Sequence, residues 1–288
     1  PPIGEQAWLQ EFAKYQQSPE YIQKNIGMSL HDFKHIFFWE WAHRLLGRII
    51  GIAFAVPLFF FWITNRVADG YKAKFLGVLA LGGLQGAVGW WMVASGLIDN
   101  PAVSHYRLAT HLGLAVILYA FMLWMALTLL RRDGKITPPP IENTFCLRRH
   151  GWAALLLVAI TMIWGAFTAG LDAGLIYNEW PLMGGRFMPS EMWFQTPAWL
   201  NLFENHASVQ FTHRWLAIIA AFLVLGFAWR TKFRPLAAAV FIQVGLGITT
   251  LLSSVMIPIA AAHQAGALIT LGLLIYQLNR ITISAQRT

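Results

Sequence analysis

Seven apolar runs, each long enough to cross a bilayer, follow one another along this chain and limit what it can fold into. A run of about 20 mostly apolar residues reads as a spanning helix, because a helix satisfies its own backbone N–H and C=O groups where no water can. We place the spans at about 36–65, 72–97, 104–131, 150–171, 207–230, 235–255 and 258–280. A hydrophobic share of 57% against 12% charged residues excludes an ordinary soluble domain. The fold class is an all-α polytopic membrane bundle surrounded by lipid.

The net charge of +8 does not indicate nucleic-acid binding, since the basic residues gather in particular loops. Arg66, Lys72 and Lys74 follow the first span, and Arg131, Arg132, Lys135, Arg148 and Arg149 flank the third and fourth. Arg230, Lys232 and Arg234 join the fifth to the sixth, and Arg280 and Arg287 follow the last. The opposite loops carry Asp99, Asp172, Glu179, Glu191 and Glu204. The positive-inside rule then puts residue 1 on the outer side and the C-terminus on the cytoplasmic or matrix side. A single cysteine, Cys146, leaves no internal disulfide and no Cys-ligated cluster.

Residues 1–35 form an outer-side amphipathic segment, with Trp8, Phe12 and Tyr15 on one helical stripe. Ser18-Pro19-Glu20 predicts a capped helix start, and Ser29 with Asp32 predicts another that runs into the first span. An N-terminal half-bundle covers 36–132, and an inner linker with Pro138-Pro139-Pro140 covers 133–149. A C-terminal half-bundle covers 150–288 and includes an outer loop, 172–208, rich in Gly, Pro and Trp.

The two halves repeat. Glu40-Trp41-Ala42-His43-Arg44 corresponds to Gln210-Phe211-Thr212-His213-Arg214. Gln85-Gly86-Ala87-Val88-Gly89 corresponds to Gln243-Val244-Gly245-Leu246-Gly247, and Thr110-His111-Leu112-Gly113 to Ala262-His263-Gln264-Ala265. The second half has a leading span that the first lacks, so we expect a natural protein of eight spans with the missing partner ahead of Pro1.

Ionisable groups inside apolar spans are costly and mark function by default. His43, His111, His213 and His263 make two equivalent pairs at similar depth near the outer ends of their spans. Neutral imidazoles in apolar helices suit haem iron, whereas zinc more often recruits carboxylates, thiols or a third histidine. A lone intramembrane histidine is more often a packing residue or proton carrier; the duplication favours ligands here. Side-by-side sites do not suit a cytochrome that carries electrons across the bilayer. Arg44, Arg48, Arg107 and Arg214 are candidates to bind haem propionates, or equally to anchor in headgroups. Gln85 and Gln243, with their glycines, are consistent with close helix packing. His31, His35, His105, His150 and His206 read as interfacial or loop residues. The halves differ where Glu40 faces Gln210: a carboxylate takes a proton and an amide does not. The first half is therefore the candidate reaction site, and the second the candidate electron-transfer site.

These residues resemble haem A synthase, the membrane enzyme that converts haem O to haem A for cytochrome oxidases. The resemblance runs along nearly the whole chain. It rests on Glu40-x-x-His43-Arg44, Tyr106-Arg107-Leu108 with His111, Gly170 to Gly174, Asn178 with Trp180-Pro181 and Met183, His213-Arg214, and His263-Gln264. Without paired cysteines in an outer loop, the chain is similar to the mitochondrial and alphaproteobacterial branch.

The resemblance implies an oxidoreductase of eight spans in a bacterial or mitochondrial inner membrane. It implies that a methyl group of farnesylated haem O is oxidised twice to a formyl group. His43 and His111 would hold the haem O substrate or haem A product, and His213 and His263 a haem b cofactor. Glu40 would be the catalytic carboxylate. Expected partners are a haem O-making farnesyltransferase, cytochrome oxidase assembly factors and further copies of the chain. The alternatives from the residues alone are a di-haem b-type electron carrier and, from the repeat architecture, a transporter.

Overall fold

A computed structural model describes residues 1–94, 103–132 and 144–284. Asp99, the 133–143 part of the expected linker with Lys135 and its three prolines, and Arg287 lie outside the described residues. Among the described residues every regular element longer than an isolated bridge is helical. The helices are α1 (Glu5–Tyr15), α2 (Pro19–Lys24), α3 (Leu30–Ile63), α4 (Lys72–Ala94), α5 (His105–Arg132) and α6 (Thr144–Gly170). Further along come α7 (Asn201–Glu204), within the long loop, then α8 (His206–Arg230), α9 (Arg234–Leu252) and α10 (Ile257–Ser284). Seven of them, α3 to α6 and α8 to α10, are long and apolar enough to cross a membrane, as the hydropathy pattern requires of a multi-pass protein.

The helix starts follow their caps. Ser18 Oγ accepts from Tyr21 N with Pro19 at the first helical position, and Ser29 Oγ accepts from Asp32 N at 3.2 Å. The stripe on α1 packs onto α3: ring centroids are 5.1 Å apart for Trp8 and Phe37, 5.2 Å for Phe12 and Phe33, and 4.9 Å for Tyr15 and Phe33.

The fourth span departs from expectation by starting at Thr144 instead of near 150. The reason is that its polar residues find partners on α8. His150 Nε2 lies 2.9 Å from Leu223 O, Arg230 Nη1 lies 3.1 Å from His150 Nδ1, and Arg230 Nη2 donates to Cys146 Sγ at 3.3 Å. His150 is thus a helix-packing residue, not a loop histidine.

The chain divides into two compact units, Pro1–Leu114 and Ala115–Thr288, with the division inside α5. In the first, α1 and α4 pack on α3. In the second, α6 packs on α8, α8 on α9, α9 on α10, and α10 back on α6, which closes a four-helix ring. Helices α8 and α10 are therefore diagonal to one another. Phe227, Leu236, Leu271, Leu274, Ile275 and Leu278 fill this unit, all almost fully buried. A buried polar cluster joins α5 to α10: Arg131 Nη1 donates to Asn279 O at 2.6 Å, and Asn279 Nδ2 to Thr128 Oγ1 at 3.1 Å.

Close approach of α6 to its neighbours depends on Gly151. A Cβ there would stand 2.7 Å from Leu278 Cδ1 and 2.9 Å from Phe227 Cε2. Gly245, by contrast, has nothing within 4 Å of such a position. Thermal unfolding in detergent should show Gly151→Ala destabilised by about 1–3 kcal/mol through overpacking. Gly245→Ala should be neutral or gain up to about 1 kcal/mol from helix propensity.

Candidate functional site

In the second unit, His213 of α8 lies against bare backbone on α6. A Cβ at Gly165 would be 3.1 Å from His213 Cε1. One turn earlier, Thr161 O lies 3.1 Å from His213 Nδ1. A carbonyl can only accept, so Nδ1 carries the proton and Nε2 keeps the lone pair a metal requires. His263 of α10 sits the same way on α9, with 2.9 Å between its Cε1 and a Cβ at Gly247. One turn before that glycine, Gln243 Nε2 donates to His263 O at 3.0 Å and lies 3.1 Å from His263 Nδ1. Because α8 and α10 are diagonal, the two imidazoles belong to helices that face each other across the ring.

The first unit repeats this arrangement on α4 and α5. A Cβ at Gly89 would lie 2.9, 3.4 and 3.6 Å from His111 Cε1, Nδ1 and Nε2, the same three distances as for Gly247 and His263. Gln85 Nε2 donates to His111 O at 3.1 Å and lies 3.4 Å from His111 Nε2. His111 Nδ1 is buried without a partner.

His43 stands on an exposed stretch of α3. One turn before it, Glu40 Oε2 is 3.4 Å from Arg44 Nη2, with about half of each side chain exposed. Arg107 Nη1 donates to Trp91 O at 2.8 Å, and its guanidinium lies 4.5 Å from the Trp91 ring centre. Arg48 is exposed on α3. Burial holds the Glu20 carboxyl on α2 above its usual range, and the charge of Glu40 adds to the effect.

The environment of Gln210 is unlike that of its counterpart Glu40. Gln210 is 2% exposed and donates to Tyr177 O at 3.2 Å. Arg214 Nη2 donates to the same carbonyl at 2.8 Å, and its Nη1 to Glu179 O at 3.0 Å and Leu182 O at 3.1 Å. The guanidinium therefore holds the loop of residues 172–208 onto α8, with Nε buried and unpartnered.

The loop is tied elsewhere as well. Asn178 Nδ2 reaches Gly174 O at 2.8 Å and Leu251 O of α9 at 3.0 Å. Gly184 and Gly185, with φ of 64° and 70°, make a tight turn that residues with side chains disfavour. Tyr177 Oη donates to Glu191 Oε2 at 2.8 Å. That bond holds the Glu191 carboxyl below its usual range, while burial first and the bond second push the Tyr177 phenol up.

All four expected histidines and Glu40 lie on the spans assigned to them. The contribution of Gln85, Gln243 and Thr161 was not legible as such. The signal was the spacing of each from a glycine one turn later, repeated in both halves for the glutamines. His31, His35 and His206 are exposed at helix starts, as expected of interfacial residues.

Comparison with known proteins gives the family. The family described as Cytochrome oxidase assembly protein (COX15-CtaA) matches residues 1–275. A haem A synthase of Rhodospirillum centenum is 52% identical over 97% of this chain and 76% of its own length. Haem A synthases of a Chelativorans species and of Parvibaculum lavamentivorans are 49% and 46% identical over 94% and 98% of the chain, and over 77% and 82% of their own lengths. The chain belongs to the COX15-CtaA family.

The side chains of this COX15-CtaA member fit a porphyrin on three counts. Imidazoles lie on helices, glycines leave flat ground beneath those of His111, His213 and His263, and buried polar atoms near His111 and His263 lack partners. The glycine contact is testable. Gly247→Ala should weaken haemin binding about 10–100-fold in an absorbance titration, by displacing His263. Gly245→Ala should leave it unchanged.

The loop tether has its own pH window. Glu191, held low when folded, contributes stability above its unfolded pKa and loses it as pH falls through the folded value. Tyr177, held high, contributes below its unfolded pKa and loses this as pH rises through the folded value. Protease nicking of the loop should be slowest between the carboxylate and phenol ranges. Tyr177→Phe should speed it and flatten the profile.

Proposed function

We propose that this chain is a haem A synthase of a bacterial or mitochondrial inner membrane, oxidising a methyl group of haem O to the formyl group of haem A. Residue 1 is on the periplasmic or intermembrane side. The relatives named above support the activity. The observation that carries the site assignment is the asymmetry within the repeat. The His111 and His263 seats share one geometry, yet only the first half carries a carboxylate one turn before its other histidine: Glu40 before His43, where the second half has Gln210 before His213.

In this reading His43 and His111 hold the substrate and place its methyl group near Glu40. His213 and His263 hold haem b, which when bound supplies one-electron transfer. With water as the oxygen source, converting methyl to formyl releases four electrons and four protons; the electrons would leave one at a time through haem b to an oxidant outside the chain. Glu40 accepts a proton at its carboxylate or stabilises positive charge developing on the substrate. Arg44, Arg48 and Arg107 would meet propionates by twin hydrogen bonds. Arg214 serves mainly the loop, with only its Nε left for a propionate. Haem O is too apolar to cross water, so a farnesyltransferase that makes it is the natural donor. Oxidase assembly factors are the natural recipients, and copies of this chain the natural self-partner.

Glu40→Ala should leave haem b bound and stop haem A formation, read by extracting the pigments and identifying each porphyrin by mass. Undiminished haem A would rule out this role. The near-identity of the Gly89 and Gly247 seats favours one other reading, a di-haem electron carrier. It predicts haem B alone in the extract.

A further inference from the structure

Arg107 is fixed in two ways, and neither uses the edge by which a guanidinium grips a carboxylate side-on. Its Nη1 donates to Trp91 O at 2.8 Å, and its central carbon lies 4.5 Å from the centre of the Trp91 ring. Trp91 O is one of the last four carbonyls of α4, which a helix leaves without intrahelical partners. Bond and ring contact together hold the guanidinium in place. Nε and Nη2 remain, two parallel N–H groups along one edge, and none of the described residues accepts from them.

This pair belongs to the His111 seat. Arg107 stands one turn before His111 on α5 and on the same face. Trp91 is two residues past Gly89, against which the His111 ring packs. In the second half, Thr249 takes the position of Trp91 and Ile259 that of Arg107, so the fork is confined to the first half.

A macrocycle held through its iron can turn about the axis that passes through the metal. Its propionates lie on one edge, so fixing one of them fixes where every methyl group lies. Oxidation of one methyl group requires that orientation. Electron transfer through a second porphyrin does not.

We infer that Trp91 is a positioning residue for the substrate: it holds Arg107 so that Nε and Nη2 take one propionate of haem O, and this sets which methyl group meets Glu40. The inference rests on the haem A synthase reading above. The plain alternative is that Arg107 only caps α4 and joins it to α5.

The test uses the full chain purified in detergent with its haem b. Haem O and its propionate dimethyl ester are titrated separately by absorbance, and the ratio of the two affinities is the readout. Partition of the ester into detergent is common to all variants and cancels between them. Arg107→Gln should shrink the wild-type preference for the free acid about 10-fold. Trp91→Leu should shrink it about 2–5-fold, and Trp91→Phe, which keeps a ring, by less. A helix cap alone would weaken acid and ester by the same factor in every variant. An unchanged ratio in Arg107→Gln, or in Trp91→Leu beside a shrunken one in Arg107→Gln, overturns the inference. If Trp91→Leu does not fold, a Trp91→Phe ratio between those of wild type and Arg107→Gln supports it, and one equal to wild type overturns it. A wild-type chain that binds neither porphyrin overturns the proposed function itself.

Discussion

Imidazole against bare backbone is the contact on which the rest of the structure depends. At Gly89, Gly165 and Gly247 a methyl group would lie 2.9 to 3.1 Å from a histidine carbon, closer than packed carbons approach. A glycine inside a helix costs about 1 kcal/mol relative to alanine, so its presence at these positions signals a need for space. That need sets how near α4 comes to α5, α6 to α8, and α9 to α10. In lipid, where helices gain little from hydrophobic association, small residues at contacts are what allow such approach.

Each glycine also makes the residue one turn earlier a neighbour of the same ring. A main-chain carbonyl fills that place beneath His213, and a side-chain amide beneath His111 and His263. The outcome is a histidine held at two points, with its ring orientation set by a neighbouring helix. Preorganisation of this kind limits the reorganisation a site undergoes when a rigid, planar ligand enters.

The halves differ in the surroundings of these equivalent positions. Around Gln210 and Arg214 the protein closes over itself: three loop carbonyls are bonded by one guanidinium, and the amide is sealed beneath them. Around Glu40 and Arg44 the charged pair stays half exposed. A buried carboxylate would need compensation that an amide does not, which agrees with Gln in the closed half and Glu in the open one.

Seven spans, the amphipathic α1, the caps at Ser18 and Ser29, and the order of the repeat were all legible in the sequence. They depend on residue type and local spacing, which translate directly into helix and face. The four histidines stood out as candidates for the same reason, since duplication writes equivalent positions twice, and Glu40 stood out as the point where the copies differ. Family membership followed from these motifs in combination. What the sequence did not show was which side chains meet across helices. That His150 packs on α8, that Arg214 clamps the loop before it, and that Gln85 and Gln243 bond the histidines depend on the lateral order and spacing of neighbouring helices. Hydropathy determines that a segment enters the membrane, but nearly every face of such a segment is apolar. Only tertiary packing, limited by where backbones can approach, decided which face meets which neighbour.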